Sequence, residues 1–383
     1  MARALYIHWP FCLKKCPYCD FNSHVRAEVD TAQWQAALIA DMRREAEVAG
    51  GETLESIFFG GGTPSLMPPA LVGALLAEAE RLWGFAPGIE ITLEANPSSV
   101  EAGNFAALAM AGVNRISLGI QSLENDILQF LGRLHNSTEA LHALDTAQAN
   151  FSRVTIDLIY ARPGQTAENW ARELGKALAL GTGHISLYQL TIEPSTRFET
   201  DVRLGHFTPL ADDPAADLYA LTQEVTAHAG IPAYEISNHA RPGEESRHNL
   251  AYWRYHDYCG IGPGAHGRRH NSATERHKKP ENWLKCVETC GDGINVARPL
   301  SACEQASEAI MMGLRLVEGI DLEKLSQRFG LAADRMIDFE RFALLRNLAL
   351  VWQQGSRIGV APAGMPLLDA LLGELVHADL VAA

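Results

Sequence analysis

The sequence predicts an α/β protein: an open or partial (β/α)6 barrel followed by a smaller, mainly helical C-terminal domain. Three observations lead there. Six short β-branched runs alternate with helical stretches through the first half, the pattern of a parallel sheet with crossover helices. The 383 residues exceed the roughly 250–300 at which one hydrophobic core usually stops growing, so one large and one small domain are expected. From about residue 297 onward the strand signal gives way to helical periodicity.

Taken in order, the expected strands are 4–8, 56–59, 90–94, 115–119, 154–159 and 184–190, separated by helical patterns at 32–48, 70–82, 104–111, 137–149 and 167–180. Six units are fewer than the eight of a closed barrel. A stretch rich in Pro, Thr and Asp, 194–240, reads as an excursion followed by a helix at 214–229. The last third carries helical patterns at 304–317, 322–329 and 334–350, a polar hairpin-like segment at 353–362 and a final helix at 366–376. Helices followed by a small wing predict a winged-helix-like domain. Its last helix holds Asp369 and Glu374 and no Lys or Arg, which argues against DNA binding. The expected organisation is a partial barrel over 1–240, a connecting segment over 241–296 and a helical domain over 297–383.

Composition is that of a soluble protein, 47% hydrophobic and 20% charged, with a formal charge of −14. That balance is opposite to the basic footprint of nucleic-acid binders. No apolar run approaches the roughly 20 residues that cross a bilayer, and the start is too short and polar for a secretory signal. A cytoplasmic protein without a transmembrane segment is expected, with peripheral membrane contact left open. Seven Cys are present, three of them within residues 12–19, which favours metal binding over a disulfide framework.

Cys12, Cys16 and Cys19 form a Cx3Cx2C loop just after the first strand. Thiolates are the usual ligands of iron–sulfur clusters, and a [4Fe–4S] cubane with three of them keeps one iron open. Structural zinc would need four closed ligands, the fourth from His8, His24 or a distant residue. Other polar signatures also fall at strand ends, where chemistry sits in parallel sheets. They are Gly60-Gly61-Gly62-Thr63-Pro64, Glu94, Gln121, Asp157 and Gln189, with Arg133 following an apolar run.

On this spacing at this place the chain resembles the radical SAM family over about residues 4–240, which makes the expected fold the partial barrel of that type. The resemblance implies that the open iron is chelated by S-adenosylmethionine (SAM). It further implies SAM contacts from Tyr6, Tyr18, Gly61, Gly62, Thr63, Glu94, Gln121, Arg133, Asp157 and Gln189. Tyr6-Ile7-His8-Trp9-Pro10-Phe11-Cys12 and Ile156-Asp157-Leu158-Ile159-Tyr160 resemble the oxygen-independent coproporphyrinogen III oxidase branch. Two departures count against that decarboxylase. Its further Cys, two positions after the third ligand, is Phe21 here, and the first strand starts at about residue 4 with no long extension before it.

His248-Asn249-Leu250-Ala251-Tyr252-Trp253 is instead similar to the motif of the haem chaperones of this branch (HemW-type). Imidazole is a common haem ligand and Tyr252 and Trp253 offer flat apolar faces. The resemblance implies haem binding at His248, Asn249, Tyr252 and Trp253, with propionates met by Arg247, Arg268 or Arg269 and His266 as a second ligand candidate. The implied function is a haem chaperone that binds [4Fe–4S], SAM and haem and passes haem, or a related tetrapyrrole, to an acceptor protein. Whether SAM is cleaved, and so whether the chain is an enzyme, is left open by the sequence. Cys259, Cys286, Cys290 and Cys303 read as structural.

Overall fold

A computed structural model describes residues 3–26, 28–50, 53–377 and 380. The outermost residues of the two terminal domain ranges (1–2, 378–379 and 381–383) therefore lie outside the described residues. In chain order its strands are β1 (Ala4–Trp9), β2 (Phe11–Cys12), β3 (His24–Val25), β4 (Leu54–Gly61), β5 (Phe85–Ala95), β6 (Arg115–Gln121), β7 (Arg153–Tyr160) and β8 (His184–Gln189). They are followed by β9 (Asn238–Ala240), β10 (Tyr258–Ile261), β11 (His266–Arg269), β12 (Ser272–Arg276), β13 (Ile294–Pro299), β14 (Ile320–Asp321), β15 (Val351–Gln354) and β16 (Arg357–Val360).

One sheet of eleven strands runs β13-β12-β11-β10-β1-β4-β5-β6-β7-β8-β9. Its centre, β1, β4, β5, β6, β7 and β8, is parallel and ordered as in the chain. Helices Thr31–Ala49, Pro69–Trp83, Phe105–Met110, Ser137–Asn150 and Ala167–Ala179 fill the crossovers. These are the alternating units expected from the sequence, and the mostly parallel α/β fold with a helical C-terminal region is the architecture observed.

Side chains alternate across a strand, and here the two faces differ in kind. Leu5, Ile7, Ile57, Phe59, Leu93, Ile116, Ile156, Leu158, Ile185 and Leu187 face the helices and form the core with Leu38, Met42, Leu75, Leu144 and Trp170. The opposite face carries Tyr6 beside Phe58, Glu94 beside Ser117 and Asp157 beside Ser186. Central parallel strands are usually apolar on both faces, so a polar inner face marks a site.

Residues 241–296, read from sequence as a connecting segment, do more than connect. They add β10 parallel to β1 and the antiparallel β11–β13, and Cys259, Ile261, Trp283 and Val287 join the main core. A buried ion network holds this extension to the first helix. Arg276 reaches Asp41 at 2.7 Å and Glu45 at 3.0 Å, and Arg269 reaches Glu45 at 2.5 Å. Such charges give no reliable net stability, but losing one partner strands the others.

Helices Ala302–Gly313, Leu322–Phe329, Phe339–Asn347 and Leu368–Leu375 pack with a small sheet ordered β14-β16-β15. They enclose a separate core including Ile310, Met336, Ile337, Phe342, Ile358 and Leu371. The single helix expected over 334–350 is split into a 3-10 turn, Ala333–Arg335, and Phe339–Asn347. Asp338 begins the second piece by accepting from the Arg341 amide at 3.0 Å.

Candidate functional site

The chain leaves β1, pairs β2 with β3 in parallel, and so closes residues 13–23 into a loop over the carboxyl ends of the strands. Cys12 is buried; Cys16 and Cys19 are half-buried. Each sulfur has a polar neighbour. Thr63 Oγ1 donates to Cys12 Sγ at 3.4 Å, the Arg133 guanidinium donates to Cys16 Sγ at 3.5 Å, and Ser23 Oγ lies 3.9 Å from Cys19 Sγ. Burial pushes the Cys12 and Cys19 thiols up. Among the described residues no three or more His, Cys, Asp or Glu side chains, the loop cysteines included, are gathered as ligands to one ion would be.

Arg133 ties the loop to the strand ends. Besides Cys16 it donates to Tyr18 Oη at 3.3 Å, Gly119 O at 2.8 Å and Asn96 Oδ1 at 2.5 Å, while Asn96 Nδ2 donates to Thr63 Oγ1 at 3.2 Å. Tyr18, Thr63 and Arg133 thus form one network through Asn96, a residue the sequence reading left out. Asn96 directly follows β5 and precedes Pro97, and that position was the only signal for it.

Gly61 and Gly62 were expected to let a ligand approach. The structure shows another need for them. A Cβ on Gly61, where φ is +115°, would meet His8 Cε1 at 2.7 Å, and one on Gly62 would meet Phe11 O at 2.7 Å. The glycines let β4 end against β1 and the cysteine loop.

Glu94 accepts from the Gly61 amide at 3.2 Å. Its carboxyl is pushed up to about 8, first by burial and then by Asp157. Burial likewise lifts Asp157 to about 6, against the hydrogen bonds from Ser186 and Ser117; Ser117 Oγ lies 3.0 Å away. Both carboxyls keep some accessible surface yet lie among protein atoms at the floor of the site. Gln121 sits at a register break in β6 with φ of +69°, and its Oε1 is buried without a partner among the described residues. Two carboxyls whose charge is disfavoured by burial and an orphaned amide oxygen leave hydrogen-bonding capacity unused at these strand ends.

Gln189 is not part of this set. On β8 it pairs with Tyr160, which faces the helices, and its Nε2 donates to Ala215 O at 2.9 Å. The inward residue is its neighbour Tyr188, 43% exposed and paired with Ile159 next to the Asp157 row. The sequence placed the right strand end one residue out of register, which reverses the face.

Helix Arg247–Trp253 seals the amino ends of the strands. Glu90 accepts there from Arg115 at 3.0 Å, Arg153 at 2.7 Å and the amides of Arg247 and His248, both at 3.2 Å. Burial opposes the Glu90 charge, but these partners hold its carboxyl below the ordinary value. His248 is 1% exposed. One ring nitrogen meets Ser56 Oγ at 3.1 Å, the other Tyr252 Oη at 2.8 Å, and the ring stacks on Phe58. Burial drives it down to about 3, so it is a neutral strut with neither nitrogen free for iron. Asn249 hydrogen-bonds Tyr234, and Trp253 lies under Arg315. Arg247 donates to Gly88 O, Arg268 stacks on Tyr255 and Arg269 pairs with Glu45. None of these is placed for a propionate. Of the expected haem residues, Tyr252 and the second ligand candidate His266 line a cavity.

That cavity, about 680 Å³, opens beside the cysteine loop and is lined by Tyr6, Glu94, Gly61, Tyr252, Tyr258 and Phe21 among others. His8 forms part of its wall. Its Nε2 lies 2.9 Å from Asn22 O, an acceptor, so Nε2 carries the proton and Tyr6 Oη donates to Nδ1 at 3.0 Å. A second hollow, about 830 Å³, flanks the loop on its other side between Lys14, Cys16, Phe130, Phe198 and Phe207.

The sequence matches the Radical SAM superfamily over residues 6–175 and the HemN C-terminal domain over residues 300–367. It is 40% identical to radical S-adenosyl methionine domain-containing protein 1, mitochondrial, of Bos taurus, covering 97% of this chain and 87% of that one. Heme chaperone HemW of Haemophilus influenzae is 37% identical over 90% of both chains. Heme chaperone HemW of Escherichia coli is 36% identical over 86% and 87%. The solved structure of coproporphyrinogen III oxidase (HemN) from Escherichia coli, a radical SAM enzyme, superposes with a TM-score of 0.82 over 97% of this chain and 89% of its own, at 22% identity. That likeness speaks for the fold alone.

Proposed function

The chain belongs to the radical SAM superfamily, in the group that holds the HemW proteins, and from that premise we propose that it is a haem chaperone. In this reading it binds a [4Fe–4S] cluster, SAM and haem, and hands haem to an acceptor protein. The observation that carries the proposal is one cavity joining the Glu94 carboxyl and the Gly61 backbone to the flat faces of Tyr6, Phe21, Tyr252 and Tyr258.

Cys12, Cys16 and Cys19 would hold the cluster, with Thr63, Arg133 and Ser23 as donors to the sulfurs. When bound, a cluster on three thiolates offers one open iron for SAM. Around it, Glu94 and Asp157 would accept from the donors of a cationic ligand, whose charge would favour their ionised forms. Gln121 Oε1 supplies a further acceptor, and Arg133 and Asn96 orient the loop. Phe21, where the decarboxylases carry a Cys, is 60% exposed at the cavity rim and offers apolar surface instead of a sulfur. Among the described residues no helix is long and apolar enough to cross a membrane.

The test is a haem titration of the anaerobically reconstituted protein. Saturation near one haem per chain, with a Soret band distinct from that of free haem, is expected. Haem that stays spectroscopically free would refute the proposal.

A further inference from the structure

We infer that His266 is the imidazole that meets the haem iron; this rests on the haem-chaperone reading above. His266 begins β11 and lines the same cavity as Tyr6, Tyr252, Tyr258 and Phe21. Its side chain is exposed, and no side-chain hydrogen bond holds its ring among the described residues. In both respects it is the opposite of His248.

The backbone that carries His266 is, by contrast, clamped. The buried Asp41 carboxylate accepts from the Gly262 amide at 3.1 Å. Asn22 Nδ2 donates to Pro263 O and to Lys278 O, each at 2.9 Å. A Cβ on Gly262 would strike His8 O at 2.4 Å, and one on Gly264 would strike Asn22 Nδ2 at 2.4 Å, with φ of +90° and +81°. The turn therefore fits against β1 and the cysteine loop because positions 262 and 264 are glycine. A fixed backbone with a free ring aimed into an aromatic cavity is the preorganisation a metal ligand requires.

The other two histidines of the cavity, His8 and His24, are already engaged, His8 between Tyr6 Oη and Asn22 O. His24 Nε2 lies 3.2 Å from Asn22 Oδ1, and the ring also bonds the backbone of Lys278. The rest of the lining suits an amphipathic macrocycle. Tyr252 and Tyr258 meet edge to face at 4.4 Å, and Lys15 and Lys278 supply cations for carboxylates. Asp20 and Glu94 also line it.

The experiment uses the full chain with its cluster reconstituted, titrated with ferric haem and followed by magnetic circular dichroism and electron paramagnetic resonance. His266→Ala should weaken haem binding at least roughly tenfold, the smaller end of what losing even an outer partner of a metal ligand costs, and abolish the imidazole-ligated signature. His266→Gly should regain that signature when imidazole is added. Cluster content and far-ultraviolet dichroism should be those of the wild type. Haem uptake and spectra unchanged in His266→Ala would overturn the assignment alone. A wild type that takes up no haem would overturn the haem-chaperone reading, and the assignment with it.

Discussion

Replacing Glu94 with Gln should make the protein more stable above about pH 5 while weakening its grip on SAM. The side chain titrates at 4.5 in a free chain and at about 8 in the fold, because burial and then Asp157 oppose its charge. At pH 7 the unfolded chain gains from ionising this group and the folded one does not. The interval of 2.5 pH units from 4.5 to 7, at about 1.4 kcal/mol each, makes the penalty about 3 kcal/mol. The sign follows directly. Below 4.5 the carboxyl is neutral in both states and the penalty is absent. It grows as pH rises and levels off above about 8. Gln keeps the oxygen that accepts from the Gly61 amide and removes the titration. Urea unfolding of the cluster-free wild type and of Glu94→Gln at pH 5, 7 and 8.5 measures the difference. The variant should gain relative stability of at most about 3 kcal/mol between pH 5 and 7, and SAM affinity of the reconstituted protein should fall about ten- to a hundredfold, the cost of losing a charge-assisted hydrogen bond. A stability difference independent of pH would refute the claim that Glu94 is held neutral.

Changing Cys12, Cys16 or Cys19 to Ala should abolish the broad visible absorption of the reconstituted cluster, while changing Cys286, Cys290 or Cys303 should leave it; a cluster that survives loss of Cys16 would break the three-thiolate reading. Tyr188→Ala should weaken SAM binding measured by calorimetry, whereas Gln189→Ala should cost about 1 kcal/mol of stability and leave SAM affinity alone; the reverse result would return Gln189 to the site. His248→Ala should lower the unfolding free energy by about 2–4 kcal/mol, because it strands Ser56 and Tyr252 and opens a gap beside Phe58. A variant as stable as the wild type would show that the ring is not a strut.

The parallel centre of the sheet was legible because each strand is a short apolar run closed by a polar signature, and the hydrophobic period alone locates such runs. The cysteine loop was legible because its three ligands are local. What the sequence did not show depended on long-range placement. β10–β13 are short, and the turn residues between them look the same in a linker as in a sheet extension. Gln189 and Tyr188 differ by one position, and only the pairing of β8 with β7 decides which faces inward. His248 stands next to aromatic residues in the sequence as a ligand might. Its burial comes from Ser56 and Phe58, nearly two hundred residues earlier, and from the seal its helix makes over Glu90. Asn22 and Asn96 were passed over because a lone amide carries no signal until its partners are assembled.

The central claim, delivery of haem and not porphyrinogen decarboxylation, is tested most directly by one anaerobic preparation with its cluster, SAM and a reductant, divided in two. One half is loaded with haem and mixed with an apo-haemoprotein, and haem transfer is followed by the Soret band of the acceptor; the other half receives coproporphyrinogen III, and its products are separated by chromatography. Transfer faster than from free haem with no decarboxylated porphyrin is the predicted result. Steady conversion of coproporphyrinogen III without haem transfer would contradict the account.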